Sequence, residues 1–301
     1  MNIFKKIDEI NDPGSPEKPS EDRIGYDLEK GIAWVIDGAS DDYLDMVPHK
    51  DTGEPLNAYW AAGELSRLFQ EYAELGLKNP RQMIDQVTRD FAKIFENSAG
   101  SKIDDIPREF HPIAAFAWIY FDPDANTLTT ASLADCKAFA TGISGRLYQN
   151  TTTSDPDAER KRDEKWAQET GNAHLDRTSD YIRDQLIAKR RVYNCVDEGG
   201  SKVLGPDSRC GENAQIDHIE LGDDKIGHIL VTSDGLMRLT DTFQEMTDKV
   251  LVEAALRKGL DYMVYKELRP REEINMQQGD TAIVKSKDDT AAAIFRINHS
   301  L

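Results

Sequence analysis

The chain has 301 residues and carries 37 Lys and Arg against 55 Asp and Glu, a formal charge of −18. Such an excess of acid argues against a nucleic-acid binder, because phosphate backbones recruit basic faces. With 39% hydrophobic and 8% aromatic residues the chain can build a real core, which excludes disorder throughout. No run of about 18 apolar residues occurs, and the opening MNIFKKIDEINDPGSPEKPSED is too polar for a signal peptide, so a cytoplasmic protein without membrane contact is expected. Cys136, Cys195 and Cys210 are odd in number and form no CxxC pair; reduced bystander thiols are expected.

Arg23 to Tyr26 and Gly31 to Ile36 read as two short strands, the second a continuous apolar run of the kind buried on both faces. Loop follows to about Pro55. Ala58, Ala61, Ala62, Leu65, Leu68, Phe69 and Tyr72 then lie on one helical stripe, as do Met83, Ile84, Val87, Phe91, Ile94 and Phe95 after Asn79-Pro80. Next come strand-sized pieces separated by turn residues: IAAFAWIYF, the turn Asp122-Pro-Asp124-Ala-Asn126, TLTTASL, ADC, KAFATG and RLYQ. Short connections predict an antiparallel meander. From Ser154 to Arg191 the chain turns to charged residues, which predicts an exposed helical insert over 154–191 and a candidate lid, its terminal Lys189-Arg190-Arg191 serving the helix end. GHILVTS is a further strand, a helical pattern covers Thr242 to Lys258 and beyond, and AAAIFRI closes as a buried strand. The pattern predicts an α+β sandwich in one domain, 1–301.

Four acidic positions adjoin apolar strands: Glu21-Asp22 before the first, Asp37-Gly38 after the second, Asp234-Gly235 after GHILVTS, and Asp288-Asp289 before the last. Convergence of these carboxylates would cost roughly 4 kcal/mol per like-charge pair about 4 Å apart at an effective dielectric near 20, a cost that divalent cations remove. Oxygen-only donors with no nearby Cys or His favour Mg²⁺ or Mn²⁺ over Zn²⁺. Glycine after Asp37 and Asp234 allows a sharp turn and lets a backbone carbonyl approach an ion. The six histidines are scattered, without ligand spacing, and no nucleotide-binding loop occurs.

In order and wording, SEDRIGYD, GIAWVIDGASD, ASLADCKAFA, GHILVTSDGLMRLTD and KSKDDTAAAIF resemble the metal-dependent Ser/Thr protein phosphatases of the type 2C (PPM) family, bacterial type, from about residue 18 onward. The resemblance implies a four-layer αββα sandwich, two antiparallel β-sheets flanked by helices. It implies two ions, Mg²⁺ or Mn²⁺, with Asp37 bridging both, Gly38 lending its carbonyl, Glu21 on the second ion, and Asp234 with Asp288 completing the first. Asp22 would ligate or hold metal-bound water, making Asp37 and Asp22 the catalytic pair, while Asp289 stands where the family has Asn or Asp. A water held between two such ions about 3.5 to 4 Å apart would attack the phosphoester in line.

Four departures from the family pattern stand out. Ala134-Asp135-Cys136 replaces GDS, keeping the Asp of an optional third metal site but losing its glycine; Arg238 stands where some members have a second Asp; Ala39 replaces a histidine; and Lys18 is the basic residue nearest the place of a phosphate-binding arginine. The expected activity is hydrolysis of phosphoserine and phosphothreonine in a phosphorylated protein substrate, a phosphoric monoester hydrolase. The alternative is a pseudophosphatase that binds a phosphoprotein or partner without turnover.

Overall fold

The strand Ile32–Gly38 (β3) is apolar at five consecutive positions, and in the computed structural model, which describes residues 2–299, Ile32 through Ile36 have no exposed surface. A strand of that composition needs cover on both faces. Before it come β1 (Phe4–Asp12) and β2 (Asp22–Asp27). After it come α1 (Ala58–Glu74) and α2 (Pro80–Ala99), then β4 (Ala114–Asp122), β5 (Thr127–Leu133), β6 (Lys137–Gly142) and β7 (Leu147–Gln149). The insert forms α3 (Pro156–Thr170) and α4 (Asp180–Arg191), followed by α5 (Cys210–Asn213), β8 (Gln215–Glu220), β9 (Ile226–Thr232), α6 (Asp234–Met237) and α7 (Asp248–Lys258). Helix α8 (Leu260–Tyr262) runs through a π-helical stretch, Met263–Leu268, into α9 (Arg269–Gln278), and β10 (Thr290–Ile297) ends the fold.

One sheet has the order β2-β3-β4-β5-β8 and the other β1-β10-β9-β6-β7, with every neighbouring pair antiparallel. Their inner faces meet through Ala33, Val35, Ala117 and Ile119 on one side and Ala138, Val231, Ala293 and Phe295 on the other. The outer face of the first sheet, with Trp34, Phe116 and Trp118, packs on Leu65, Phe69, Val87 and Phe91 of α1 and α2. The outer face of the second, with Phe139, Leu230 and Ile294, packs on Leu251, Met263 and Val264. This is the four-layer α+β sandwich, and each fully buried Phe or Ile contributes roughly 1.5–3 kcal/mol. Helix α1 starts where the Asn57 side chain accepts the Trp60 N–H; α2 starts at the Asn79 cap with Pro80 in its first turn and stops at Gly100, whose φ is 70°.

Two expectations change, and one strand goes beyond them. The meander expected from IAAFAWIYF to RLYQ breaks after β5: β4 pairs with β5 and β6 with β7, but the chain after Leu133 crosses to the other sheet, where β6 also pairs with β9. The charged N-terminus is a strand, β1, whose register on β10 runs from Phe4 opposite Ile297 to Asp12 opposite Thr290. Thr242 to Thr247 is not helical; α7 begins at Asp248, where the Thr247 hydroxyl caps Val250 N–H. The insert is helical as expected. It holds a small apolar cluster of Trp166, Leu175 and Ile182, against which Val284 packs. No described helix is long and apolar enough to cross a membrane.

Candidate metal centre

The centre arises where the apolar alternation of the inter-sheet core runs out into acid. On β3 the inward positions are Ala33 and Val35, and the next is Asp37; on β2 they are Tyr26 and Ile24, and the next is Asp22. On β10 Ala293 and Ala291 lead to Asp289 just before the strand, and on β6 Ala138 leads back to Cys136. Asp22 and Asp37 lie directly opposite each other in the β2–β3 ladder. Asp234 opens α6 directly after β9, and Asp288 precedes β10 by two residues.

Asp22 has 0% exposure, and neither carboxylate oxygen has a hydrogen-bond partner among the described residues. Its pKa is pushed well above the usual carboxylate range by burial and then by the charges of Asp289, Asp234 and Asp288. Asp37 is raised by burial and by Asp22 and Asp234, and Asp135 by burial and then Asp234. Burial, then Asp288, pushes Asp234 to about 6, and burial pushes Asp289 to about 6 although its carboxylate accepts the Glu21 N–H. Asp288 goes the other way. Burial opposes its charge, but Lys285 first, with Arg238 and Arg177, holds it below the usual range. The Lys285 ammonium donates to the Asp288 carboxylate, and the same residue feels Asp37 and Glu21.

Asp37, Gly38, Asp135, Asp234 and Asp288 line one cavity of about 350 Å³, together with Arg160, Arg162, Lys189 and Arg190 of the insert. Glu21, Asp289 and Lys18 open instead on a neighbouring cavity of about 530 Å³; Arg177 and Lys285 line both. Glu21 is held by Ser40, whose Oγ donates to its carboxylate at 2.5 Å, and its carbonyl accepts the Gly38 N–H at 3.1 Å. Lys18 pairs with Asp42 at 3.2 Å with 63% of its side chain exposed. Among the described residues, Asp37, Asp135 and Cys136 are the group whose donor atoms all lie within 4.8 Å of one another.

Local backbone chemistry fixes these positions. A Cβ on Gly235 would sit 1.8 Å from the Asp289 carbonyl oxygen, and one on Gly38 would sit 2.8 Å from that of Ala58, so both glycines permit backbone contacts that place the flanking acids. Ala134, where the family has glycine, adopts φ of +63°, held by its N–H to Thr153 Oγ1 at 2.6 Å. Arg238 lines the same cavity but makes its hydrogen bonds elsewhere: it donates to Glu272, which has no exposed surface, and to the Lys285 carbonyl at 3.0 Å. Arg269 joins Glu272, Asp12 and the Asp288 carbonyl at 2.6, 2.6 and 2.8 Å, tying the 285–289 loop to β1.

Sequence reading missed several contributors. Lys285 lay unremarked in a polar stretch. Arg177 belongs to the charged insert; it sits 5.9 Å from the Tyr43 ring, reaches Asp42 at 3.3 Å, and leaves its buried Nε unpartnered among the described residues. Arg190, read as a helix-end charge, is buried and donates to the carbonyls of Glu109, His111 and Ala39, clasping the insert to the segment after Asp37. Cys136 corrects the expectation of oxygen donors with no cysteine nearby: it is a buried thiol whose sulfur lies within 4.8 Å of Asp37 and Asp135, because β6 carries it inward beside them. The only available signal was the density of cations in an otherwise acidic chain.

No protein-family model matches the chain, and no curated protein matches it in sequence. Solved structures do. The Staphylococcus aureus serine/threonine phosphatase is 13% identical with a TM-score of 0.54, over 100% of this chain and 96% of that one. The Mycobacterium tuberculosis serine/threonine phosphatase is 14% identical with a TM-score of 0.51, over 98% and 99%. At such identity the likeness speaks for architecture, and it is end to end: this chain is built on the two-sheet fold of the bacterial PP2C-type serine/threonine phosphatases.

Proposed function

We propose that this chain is a metal-dependent phosphatase acting on phosphoserine and phosphothreonine in proteins. The observation that carries this reading is Asp22, a carboxylate with two partnerless buried oxygens facing Asp37. A buried group of that kind costs several kcal/mol unless a cation compensates it, and the acids around it are themselves raised by mutual repulsion. The donor set fits a hard divalent ion: Asp37, Asp135, Asp234 and Asp288 with the Gly38 carbonyl would hold it, and Glu21 and Asp22 stand behind them.

A divalent cation, once bound, supplies Lewis acidity, making water a usable nucleophile near neutral pH and offsetting charge on the phosphoryl oxygens. The chain's residues do the rest. Asp22 and Asp37 orient the acidic end of the cleft, and Glu21 is kept rotamerically fixed by Ser40. Arg177, which lines both cavities, is better placed than the exposed Lys18 to hold a phosphate oxygen by a charge-assisted bond. The insert walls the cleft with Arg160, Arg162 and Lys189, which gives a negatively charged phosphoester a favourable approach inside a protein of net charge −18.

The test is hydrolysis of a phosphoserine or phosphothreonine peptide and of small phosphate esters by chelator-treated protein, with and without Mn²⁺ or Mg²⁺. Metal-dependent release of phosphate from the peptide supports the reading. Absence of turnover despite peptide binding favours the alternative of a phosphoprotein-binding pseudophosphatase, for which the Lys285–Asp288 pairing is the one structural argument.

A further inference from the structure

Asp288 has a partner built into its own loop: the Lys285 ammonium donates to its carboxylate. The pairing is built in. Lys285 is three residues before Asp288, its carbonyl is fixed by Arg238 Nη2 at 3.0 Å, and the Asp288 carbonyl is fixed by Arg269 Nη2 at 2.8 Å. Both ends of the short loop are therefore anchored, and only the Lys285 side chain is left to move. Its flexible four-carbon stem borders the larger cavity of about 530 Å³, where Glu21, Asp42 and Asp289 offer the ammonium a second acidic berth. Asp37, Asp135 and Cys136 also converge, within 4.8 Å of one another, and among the described residues no lysine or arginine donates to their side chains.

We propose that Lys285 is a tethered cation that competes with a divalent ion for Asp288, so that the centre fills unequally: readily on the Asp37–Asp135 side, and on the Asp288 side only when the lysine swings into the neighbouring cavity. This rests on the metal-dependent reading above. The physical reason is plain, since an ammonium and a divalent ion cannot share one carboxylate at contact distance without strong repulsion. Lys285 thereby sets the metal concentration at which the centre becomes complete, a property of the chain's own loop and separate from any substrate.

Calorimetric titration of the chelator-stripped full chain with Mn²⁺ decides the matter without reference to activity. The parent is expected to show a tighter and a weaker binding phase. Lys285→Ala should tighten the weaker phase by about tenfold or more and leave the tighter one within about twofold. Lys285→Arg, which keeps the charge, should retain the weak phase, and Lys287→Ala, which removes the exposed neighbour paired with Glu273, should behave as the parent. Lys285→Gln gives the same comparison if the alanine variant does not fold. Superimposable isotherms for the parent and a folded Lys285→Ala or Lys285→Gln overturn the proposal while leaving metal dependence intact. No Mn²⁺ bound by either protein overturns metal dependence itself.

Discussion

Asp22→Asn separates the stability of the fold from the demands of the centre. The side chains of Asp22 and Asp37 stand on opposed positions of an antiparallel pair, where Cβ atoms are about 5 Å apart. Two carboxylates at about that distance repel by about 3 kcal/mol at an effective dielectric near 20. Neither Asp22 oxygen has a partner to offset this. Replacing the charge with an amide of the same shape should therefore raise the stability of chelator-treated protein by about 2–3 kcal/mol, which for 301 residues is a rise of about 3–5 °C in Tm. With metal that advantage should disappear. An ion present at about 100 times its Kd stabilises the parent by about 2.7 kcal/mol, and a variant that has lost one acid of the cluster should gain far less. Thermal melting of both proteins in chelator and in excess Mn²⁺ gives the four numbers required. A lower Tm for Asp22→Asn than for the parent in chelator would refute the reasoning, because it would mean that the charge is compensated within the fold.

The remaining expectations concern pH, one strained residue and one arginine. Asp41, Asp234 and Asp289 are each raised to about 6 against an ordinary value near 3.8, so between these limits the folded chain binds more protons than the unfolded one and loses stability as pH rises. His111, lowered by burial and by Arg108, and His228, lowered by burial and by Arg296, act in the opposite sense below about pH 6.5, but they are two groups against three. The metal-free protein should thus melt higher at pH 5.5 than at pH 7.5, and excess Mn²⁺ should flatten or invert that difference; a metal-free Tm that climbs from pH 5.5 to 7.5 contradicts it. Ala134→Gly should stabilise by about 1 kcal/mol, or about 1–2 °C, by relieving the left-handed φ of +63°, as read by thermal melting. Arg177→Ala should raise KM for a phosphopeptide by about tenfold with kcat within about twofold, as steady-state kinetics will show; an unchanged KM removes it as the phosphate contact.

What the sequence made legible divides along physical lines. Helices α1 and α2 announced themselves because a 3.6-residue stripe, an Asn cap and a proline in the first turn all agree. β3 did so because five apolar residues in a row have no use on a surface. β1 was hidden because it is an edge strand whose residues 5–7 and 9 face solvent or nearly so, and only pairing with β10, some 290 residues away in register, gives it a place. β8 is likewise a half-exposed edge. The passage of β6 to the second sheet leaves no local mark, since strand patterning says that a strand exists and not which strand it will meet. Within the centre, the strand-end acids Asp37, Asp234 and Asp288 could be read and do share one cavity. Lys285, Arg177 and Arg190 could not, because each acts through contacts that exist only after the sheets have stacked and the insert has docked.

The same alternation that builds the core also builds its liability. Carrying the inward positions of β2, β3 and β10 one step past their apolar residues puts Asp22 at the end of the layer with no exposed surface, and sets Asp37 and Asp289 beside it, partly buried on the two cavities. Nearby, Arg238 is spent on Glu272, and Arg269 on Glu272 and Asp12; these pairs anchor loops rather than neutralise the cluster. Among the described residues the Lys285 ammonium, on Asp288, is the cation that bonds directly to an acid of the centre. One ammonium against Asp22, Asp37, Asp135 and Asp234 leaves an excess of acid, and the raised pKa of each of these four registers it. Such a site is stable in two ways only: by taking up protons, which favours mild acid, or by taking up cations from solution, which favours neutral pH. Only the second leaves the carboxylates charged and fixed, so the pH and metal dependence of folding should rise and fall together with the capacity of the centre to act on a phosphate.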